Sequence, residues 1–292
     1  MNEANKLTSS TNISRLDYLP PALFFGLLLL VYLPVLIPMV KDWYHDSNYS
    51  HGFLIIPVSL YLIWNKRAEL LKTQSSPSPL WGWLFILGGF AILIVGTAGA
   101  ELFSVRFSFV VVVWGAVLLF WGFNIAKKIW FPIAFMLFMI PIPYTIYYSL
   151  TLPMQLFATK VTMFIVKAIG VPATANGNII NLPGYRLEVA EACSGLRSLV
   201  SLMALGALYG YITLKKNYNR WILFILTVPI AIAANVFRVT VTVIGAYGIS
   251  REIAEDFLHE LSGMMVFVVS TICIVIIGAL LSWISERKAT GS

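Results

Sequence analysis

The sequence contains little charge and few of the features that mark soluble proteins. Only 11% of its 292 residues are charged, whereas 59% are hydrophobic. The apolar residues form repeated runs of about 20, the length that crosses a bilayer as a helix. No internal repeat, low-complexity tract or soluble domain is visible. We therefore predict an all-α fold: a single polytopic membrane domain, built as a helical bundle, over residues 1–292.

Cysteine and histidine are also scarce, with two and three residues respectively. Two cysteines make no disulfide framework, and Cys273 lies deep in an apolar run, too far along its helix to reach Cys193. No His-Glu-x-x-His or similar metal-binding spacing is present. A metal enzyme is a disfavoured alternative, and we expect neither metal nor cofactor. Its ligands would be drawn from His45, His51, His259, Asp42, Asp46 and Glu260.

The apolar runs predict about eight transmembrane helices. We place them at residues 19–40, 49–65, 80–99, 104–122, 127–148, 193–212, 220–248 and 257–283. Residues 1–18 are predicted to be a cytoplasmic tail. Because the first apolar run is too long for the core of a signal peptide, we expect it to be a retained anchor.

Lysine and arginine set the predicted orientation, because these residues accumulate in cytoplasmic loops. With both termini inside, the cytoplasmic segments hold Lys6, Arg15, Lys66, Arg67, Lys72, Lys127, Lys128, Lys215, Lys216, Arg220, Arg287 and Lys288. The opposite loops hold only Lys41, Arg106, Arg186 and Arg251. This asymmetry, rather than binding to nucleic acid, accounts for most of the net charge of +7.

Two segments between the fifth and sixth spans need separate interpretation. Segment 153–170 is apolar but carries Lys160 and Lys167 on one face. We predict that it lies in the outer interface or enters as a re-entrant hairpin; the alternative is a ninth span with snorkelling lysines.

Segment 171–192 contains Asn-Gly-Asn and Pro-Gly turn signals around short apolar runs. It predicts a small extracytoplasmic β-hairpin-like insert before the catalytic helices at 193–283.

Cys193 lies where this insert meets the next apolar helix, within the block 191–198 (EACSGLRS). A thiol at a helix N-terminus faces unpaired backbone N–H groups and the positive end of the helix dipole. Both favour the thiolate, which is the nucleophilic form of cysteine. The neighbouring Ser194 and Gly195 are small, so that a peptide could approach and backbone N–H groups could contact an oxyanion.

Two more polar residues are predicted at the same depth on the outer side. Arg238 lies 18 residues, or about 27 Å, from the inner end of its span, with Asn235 and Thr242 on the same face. His259 begins the following span. Alone, the arginine could snorkel to the interface and the histidine could be a simple interfacial residue. Their convergence with Cys193 from three successive spans favours a functional site, since charged residues buried in membranes mark such sites.

These residue types support nucleophilic acyl transfer. A thiolate attacks a carbonyl and forms a thioester. Histidine gives a proton to the leaving amine and later takes one from the incoming nucleophile. Arginine stays charged and can stabilise the oxyanion or the thiolate.

Three blocks of the sequence, 191–198 (EACSGLRS), 235–239 (NVFRV) and 259–263 (HELSG), resemble the signature blocks of the exosortase/archaeosortase family. Residues 49–54 (YSHGFL) and 61–64 (YLIW) are also similar to that family. The resemblance covers about residues 40–270, and the cysteine block is its most specific part.

The resemblance implies a multi-pass cysteine protease or transpeptidase of the bacterial inner membrane, with an extracytoplasmic active site. Its implied substrates are secreted proteins with a C-terminal signal made of a Pro-Glu-Pro-like motif, a transmembrane helix and a basic tail. Carried onto this sequence, the catalytic residues are Cys193, Arg238 and His259. We further predict that His51, Asn235 and Ser194 contact substrate. Some relatives in that family carry an extra soluble C-terminal domain linked to exopolysaccharide export.

A polytopic transporter or scaffold is the second interpretation, because Asn235 and Arg238 could bind an anionic solute. The predicted position of these residues at the outer edge and the lack of a repeat between the two halves favour the enzyme.

The charge asymmetry generates a labelling prediction. In a Cys193→Ala, Cys273→Ala background, the Ser250→Cys variant should react with a membrane-impermeant thiol reagent in intact spheroplasts. The Asn217→Cys variant should react only after lysis. Labelling of position 217 from outside would contradict both the orientation and the extracytoplasmic site.

Overall fold

The computed structural model describes residues 19–189, 196–248 and 258–290. Within these ranges the chain forms two compact units, one ending at Ile140 and the other beginning at Pro141. Helices dominate both units, which confirms the predicted all-α membrane fold.

The first unit is entirely helical in its described part. Its elements are α1 (Leu19–His45), α2 (Gly52–Asn65), α3 (Arg67–Leu71), α4 (Pro79–Ala98), α5 (Leu102–Phe120), α6 (Phe123–Phe135) and a 3-10 turn (Met136–Met139). Helices α4 and α5 pack closely because Gly82 and Gly89 leave no room for a side chain against Leu119 and Val112. Small residues of this kind let membrane helices approach each other.

The loop between α4 and α5 contains a helix cap. The Glu101 carboxylate accepts hydrogen bonds from the backbone N–H groups of Phe103 (3.1 Å) and Ser104 (2.6 Å). Such a cap satisfies donors that the first helical turn leaves free. The hydrogen bonds with Ser104 hold the pKa of Glu101 below its usual range, although partial burial opposes them. The cap therefore remains ionised and fixes the start of α5.

The predicted span at 127–148 is not one helix. Helix α6 ends at Phe135, the 3-10 turn ends at Met139, and a new helix starts at Tyr144. Pro141 and Pro143 explain the break, because proline donates no backbone hydrogen bond and disfavours helical geometry in the residue before it. Because the sequence is apolar throughout this region, hydropathy alone predicts one span where the structure has two helices.

The second unit contains helices and a small sheet. Its elements are α7 (Tyr144–Ala168), β1 (Thr174–Asn176), β2 (Ile179–Leu182), β3 (Tyr185–Glu188), α8 (Leu196–Thr213), α9 (Asn217–Gly248) and α10 (Leu258–Thr290). The strands are antiparallel in the order β1-β2-β3. Gly177 and Gly184 adopt positive φ in the two connecting turns. The predicted hairpin is thus confirmed and extended by a third strand, while its side of the membrane stays a prediction.

Six helices in the described residues are long and apolar enough to cross a membrane: α1, α4, α5, α7, α9 and residues 263–287 of α10. Helix α2, predicted as a full span, has 14 residues. Segment 153–170 lies mostly within α7, which has the length and composition of a span. Its interfacial or re-entrant placement stays a prediction.

Candidate active site

Arg238 is a buried cation on α9 that contacts α10. Its exposed fraction is 9%. A methyl group built at Gly263 of α10 would lie 3.4 Å from Arg238 Nη2 and 3.5 Å from Cζ. The guanidinium therefore packs directly over the glycine backbone. A side chain larger than a methyl group at position 263 would compete for the volume that the guanidinium occupies.

The packing of α8 against α9 shows which residues lie at the same level. A side chain at Gly206 would strike Thr227, and one at Gly210 would lie 3.5 Å from Leu223 Cδ2. A step of four residues forward on α8 thus matches four residues back on α9, so the helices are antiparallel. Leu196, at the start of α8, is ten residues before Gly206. The antiparallel register therefore brings it level with residue 237, ten residues after Thr227 and next to Arg238.

Helices α9 and α10 are aligned in the same way. The Asn219 side chain donates a hydrogen bond to the Leu281 carbonyl (3.2 Å) near one end of the pair. Arg238 and Gly263 meet near the other end. Arg238 is 19 residues after Asn219 on α9, and Gly263 is 18 residues before Leu281 on α10. His259 lies one turn before Gly263 on the same face of α10. The antiparallel register thus brings position 259 to within about two turns of Arg238 along the helix axes.

The predicted nucleophile lies just outside the described residues. Cys193 and Ser194 precede the first described residue of α8 by three and two positions, and the His259 side chain is likewise not described. Within the described part, the structure places the start of α8, Arg238 and the backbone of residue 259 at one end of the α8–α9–α10 group. The catalytic roles of these residues stay predictions.

The three-stranded sheet shares a core with the helix that carries Arg238. Val236 and Val239, on either side of the arginine in sequence, pack in one buried cluster with Ile180 of β2 and Val189, the residue after β3. Helix α7 joins this cluster and adds a hydrogen bond between Thr162 Oγ1 and Thr240 Oγ1 (3.1 Å). The sheet is therefore fixed against α9 close to Arg238.

Asn235 lines a cleft between α7 and α9. The cleft has a volume of about 360 Å³. Among the described residues that line it, Asn235, which is 4% exposed, is the only polar one. The other lining residues are Pro153, Met154, Phe157, Ala158, Ile232 and Val236. A mostly apolar cleft with one amide suits an apolar peptide segment better than an anionic solute.

His51 lies in the first unit and has a packing role there. Its Nε2 donates a hydrogen bond to the Phe138 carbonyl (3.1 Å), and Trp43 Nε1 donates to the Met139 carbonyl (2.9 Å). Together they attach the 3-10 turn to the end of α1 and the start of α2. Contact of His51 with substrate stays a prediction.

Within the described residues, no cluster of side chains favours the metal-enzyme alternative. No group of three or more His, Cys, Asp or Glu side chains is found in that part of the chain. Of the proposed ligands, Asp42 instead pairs with Arg106 at 2.5 Å, and His45 Nδ1 lies 2.9 Å from the Lys41 carbonyl.

One protein-family model matches most of the chain. A family model described as transmembrane exosortase matches residues 43–276. No curated protein and no solved structure is significantly similar to this chain. The matched range contains Arg238, Gly263 and the sequence positions of both other predicted catalytic residues.

Gly263 offers a test of the site geometry. The Gly263→Ala variant should keep activity within about threefold, because its methyl group makes only van der Waals contact with Arg238. With Arg238 as the predicted oxyanion donor, the Gly263→Leu variant should displace the guanidinium and lower cleavage of a tagged substrate roughly 10²-fold. Equal activity of the alanine and leucine variants, at equal membrane levels, would show that Arg238 has no fixed position in catalysis.

Proposed function

Because the chain belongs to the transmembrane exosortase family, we propose that it cleaves the C-terminal sorting signals of secreted proteins through Cys193, Arg238 and His259. At the level of the family, the protein is an integral membrane protein related to transpeptidases that process sorting signals. The residue roles, the substrate motif and the side of the membrane are parts of the proposal.

The convergence of three helices at one end of the α8–α9–α10 group is the main support for this proposal. The antiparallel register of α8, α9 and α10 brings the start of α8, Arg238 and position 259 to one end of the group. Residues that lie 45 and 21 positions from Arg238 along the sequence, Cys193 and His259, are thereby predicted to converge on it. A buried arginine is costly in a membrane protein, and such residues mark functional sites by default.

The proposed reaction proceeds in two steps. The Cys193 thiolate attacks the carbonyl carbon of the scissile peptide bond, and Arg238 stabilises the oxyanion that forms. When the C–N bond breaks, His259 gives a proton to the leaving amine and a thioester remains on Cys193. An incoming amine, hydroxyl or water then gives a proton to His259 and attacks the thioester carbonyl. The C–S bond breaks, which releases the product and restores the Cys193 thiolate. The identity of this second nucleophile decides between transfer and hydrolysis.

The proposed substrate is a secreted protein held in the membrane by its own helix after translocation. Its signal has a Pro-Glu-Pro-like motif, the helix and a basic tail, and the motif would lie just above the outer interface of the bacterial inner membrane. The apolar cleft beside Asn235 supports this choice, because it can accept an apolar segment of a peptide. We accordingly propose that the active site lies on the extracytoplasmic side.

The nucleophile is tested by the two cysteines of the chain. The Cys193→Ala variant should lose processing of a tagged substrate while it inserts normally, and the Cys193→Ser variant should be nearly inactive, because a hydroxyl is not ionised at neutral pH. The Cys273→Ala variant is the matched control and should process normally. Normal processing by the Cys193→Ala variant would refute the proposed chemistry.

The arginine is tested by a change that keeps its charge. The Arg238→Lys variant should lower kcat roughly 10²-fold, because an ammonium group lacks the planar pair of donors that a guanidinium offers to an oxyanion. The Arg220→Lys variant, at the other end of α9, is the control and should be close to wild type. Full activity of the Arg238→Lys variant would mean that only charge, and no specific geometry, is needed at this position.

A further inference from the structure

Strand β3 has an outer edge that no described strand covers. It pairs with β2 on one side only, since the sheet order is β1-β2-β3. Arg186 and Glu188 are exposed, and neither forms an ion pair with another described residue. An edge of this kind offers a row of backbone donors and acceptors to another extended chain.

The pairing pattern shows which backbone groups this edge presents. The Val189 N–H donates to the Asn178 carbonyl directly opposite (2.9 Å), so this pair is a hydrogen-bonded one. Bonded and non-bonded pairs alternate in an antiparallel ladder. Leu187 therefore bonds to Ile180, whereas the N–H and C=O groups of Arg186 and Glu188 point away from β2 toward the outer edge.

The same strand is tied to the candidate active site by packing and by sequence. Leu187 and Val189 face the buried cluster that contains Val236 and Val239, the neighbours of Arg238. Only three residues, 190–192, separate Val189 from Cys193. A peptide bound along β3 would therefore lie within four residues of chain, at most about 14 Å, of the proposed nucleophile.

We propose that the substrate motif adds to the sheet as a fourth strand, antiparallel to β3, with its acidic residue opposite Arg186; this inference rests on the proposed function. Strand addition of this type gives affinity through main-chain hydrogen bonds and specificity through alternate side chains. Enzymes that cleave peptide bonds generally bind the substrate in an extended conformation at the scissile bond. Pairing with an edge strand close in sequence to the nucleophile supplies that conformation.

The chemistry of a Pro-x-Pro sequence selects this register. Two prolines at positions i and i+2 have the same phase in a strand, so both of their missing N–H groups can point away from β3. The residue between them then donates and accepts at the edge. An acidic side chain at this position lies next to the β3 residue directly opposite. Opposite Arg186 it would be attracted, whereas opposite Glu188 it would be repelled. The prolines fall on the face of Leu187 and Val189, which is apolar.

Binding of a fluorescent peptide with the Pro-Glu-Pro motif to the full-length Cys193→Ala protein tests the edge without any cleavage. The Glu188→Pro variant removes an outward N–H of β3 and should raise Kd about fivefold to tenfold. The Ala175→Pro variant removes the equivalent outward N–H of β1, on the opposite edge, and should leave Kd unchanged. An equal effect of both variants, or none at Glu188, would overturn strand addition to β3.

Charge reversal tests the register independently of proline. The Arg186→Glu variant should bind the Pro-Glu-Pro peptide roughly tenfold more weakly and should regain affinity for a Pro-Lys-Pro peptide. Weaker binding of both peptides, or no change for either, would overturn the pairing with Arg186. Failure of the proposed function has a different signature: the wild-type protein would bind the peptide with this pattern but would not cleave a full-length substrate.

Discussion

Close packing among α8, α9 and α10 is the constraint on which the rest of the second unit depends. In a membrane, helices gain little from the hydrophobic effect and associate through close van der Waals contact at small residues. Three glycines provide that contact here: Gly206 faces Thr227, Gly278 faces Tyr209, and Gly263 faces Arg238. The first two fix the register of the helices, and the third uses the same register to make space for a guanidinium.

This arrangement explains how a charged side chain can be held inside an apolar bundle. Arg238 is on α9, the central helix of the group, which also packs against α7 and the small sheet. The sheet buries Ile180 and Val189 against the valines around Arg238, so the sheet, α7 and α9 form one core. A site assembled in this way is supported on every described side by regular structure, which is the condition for holding catalytic groups in fixed positions.

Much of the fold and part of the site follow from local sequence patterns. Arg238 is conspicuous because a single charge interrupts an apolar run, and the turns around β2 are conspicuous because their glycines need positive φ. The break between Met139 and Tyr144 was missed because hydropathy does not register the backbone effect of proline. Strand β1 was missed because Thr174–Asn176 is too short and polar to show alternation. The role of Gly263 and the cleft at Asn235 depend on contacts between helices distant in sequence, which no local pattern contains.

The proposed active site requires the start of α8 to meet Arg238 and the beginning of α10. Cross-linking measures this directly in a Cys273→Ser background, where Cys193 is the only native thiol. A short bismaleimide should link Cys193 to the introduced thiol of a His259→Cys variant within one chain, detected by mass spectrometry of the linked peptides. A Thr271→Cys variant, 12 residues or about 18 Å further along α10, should give little product. Equal linkage at the two positions, or linkage only at 271, would contradict the convergence of Cys193, Arg238 and His259.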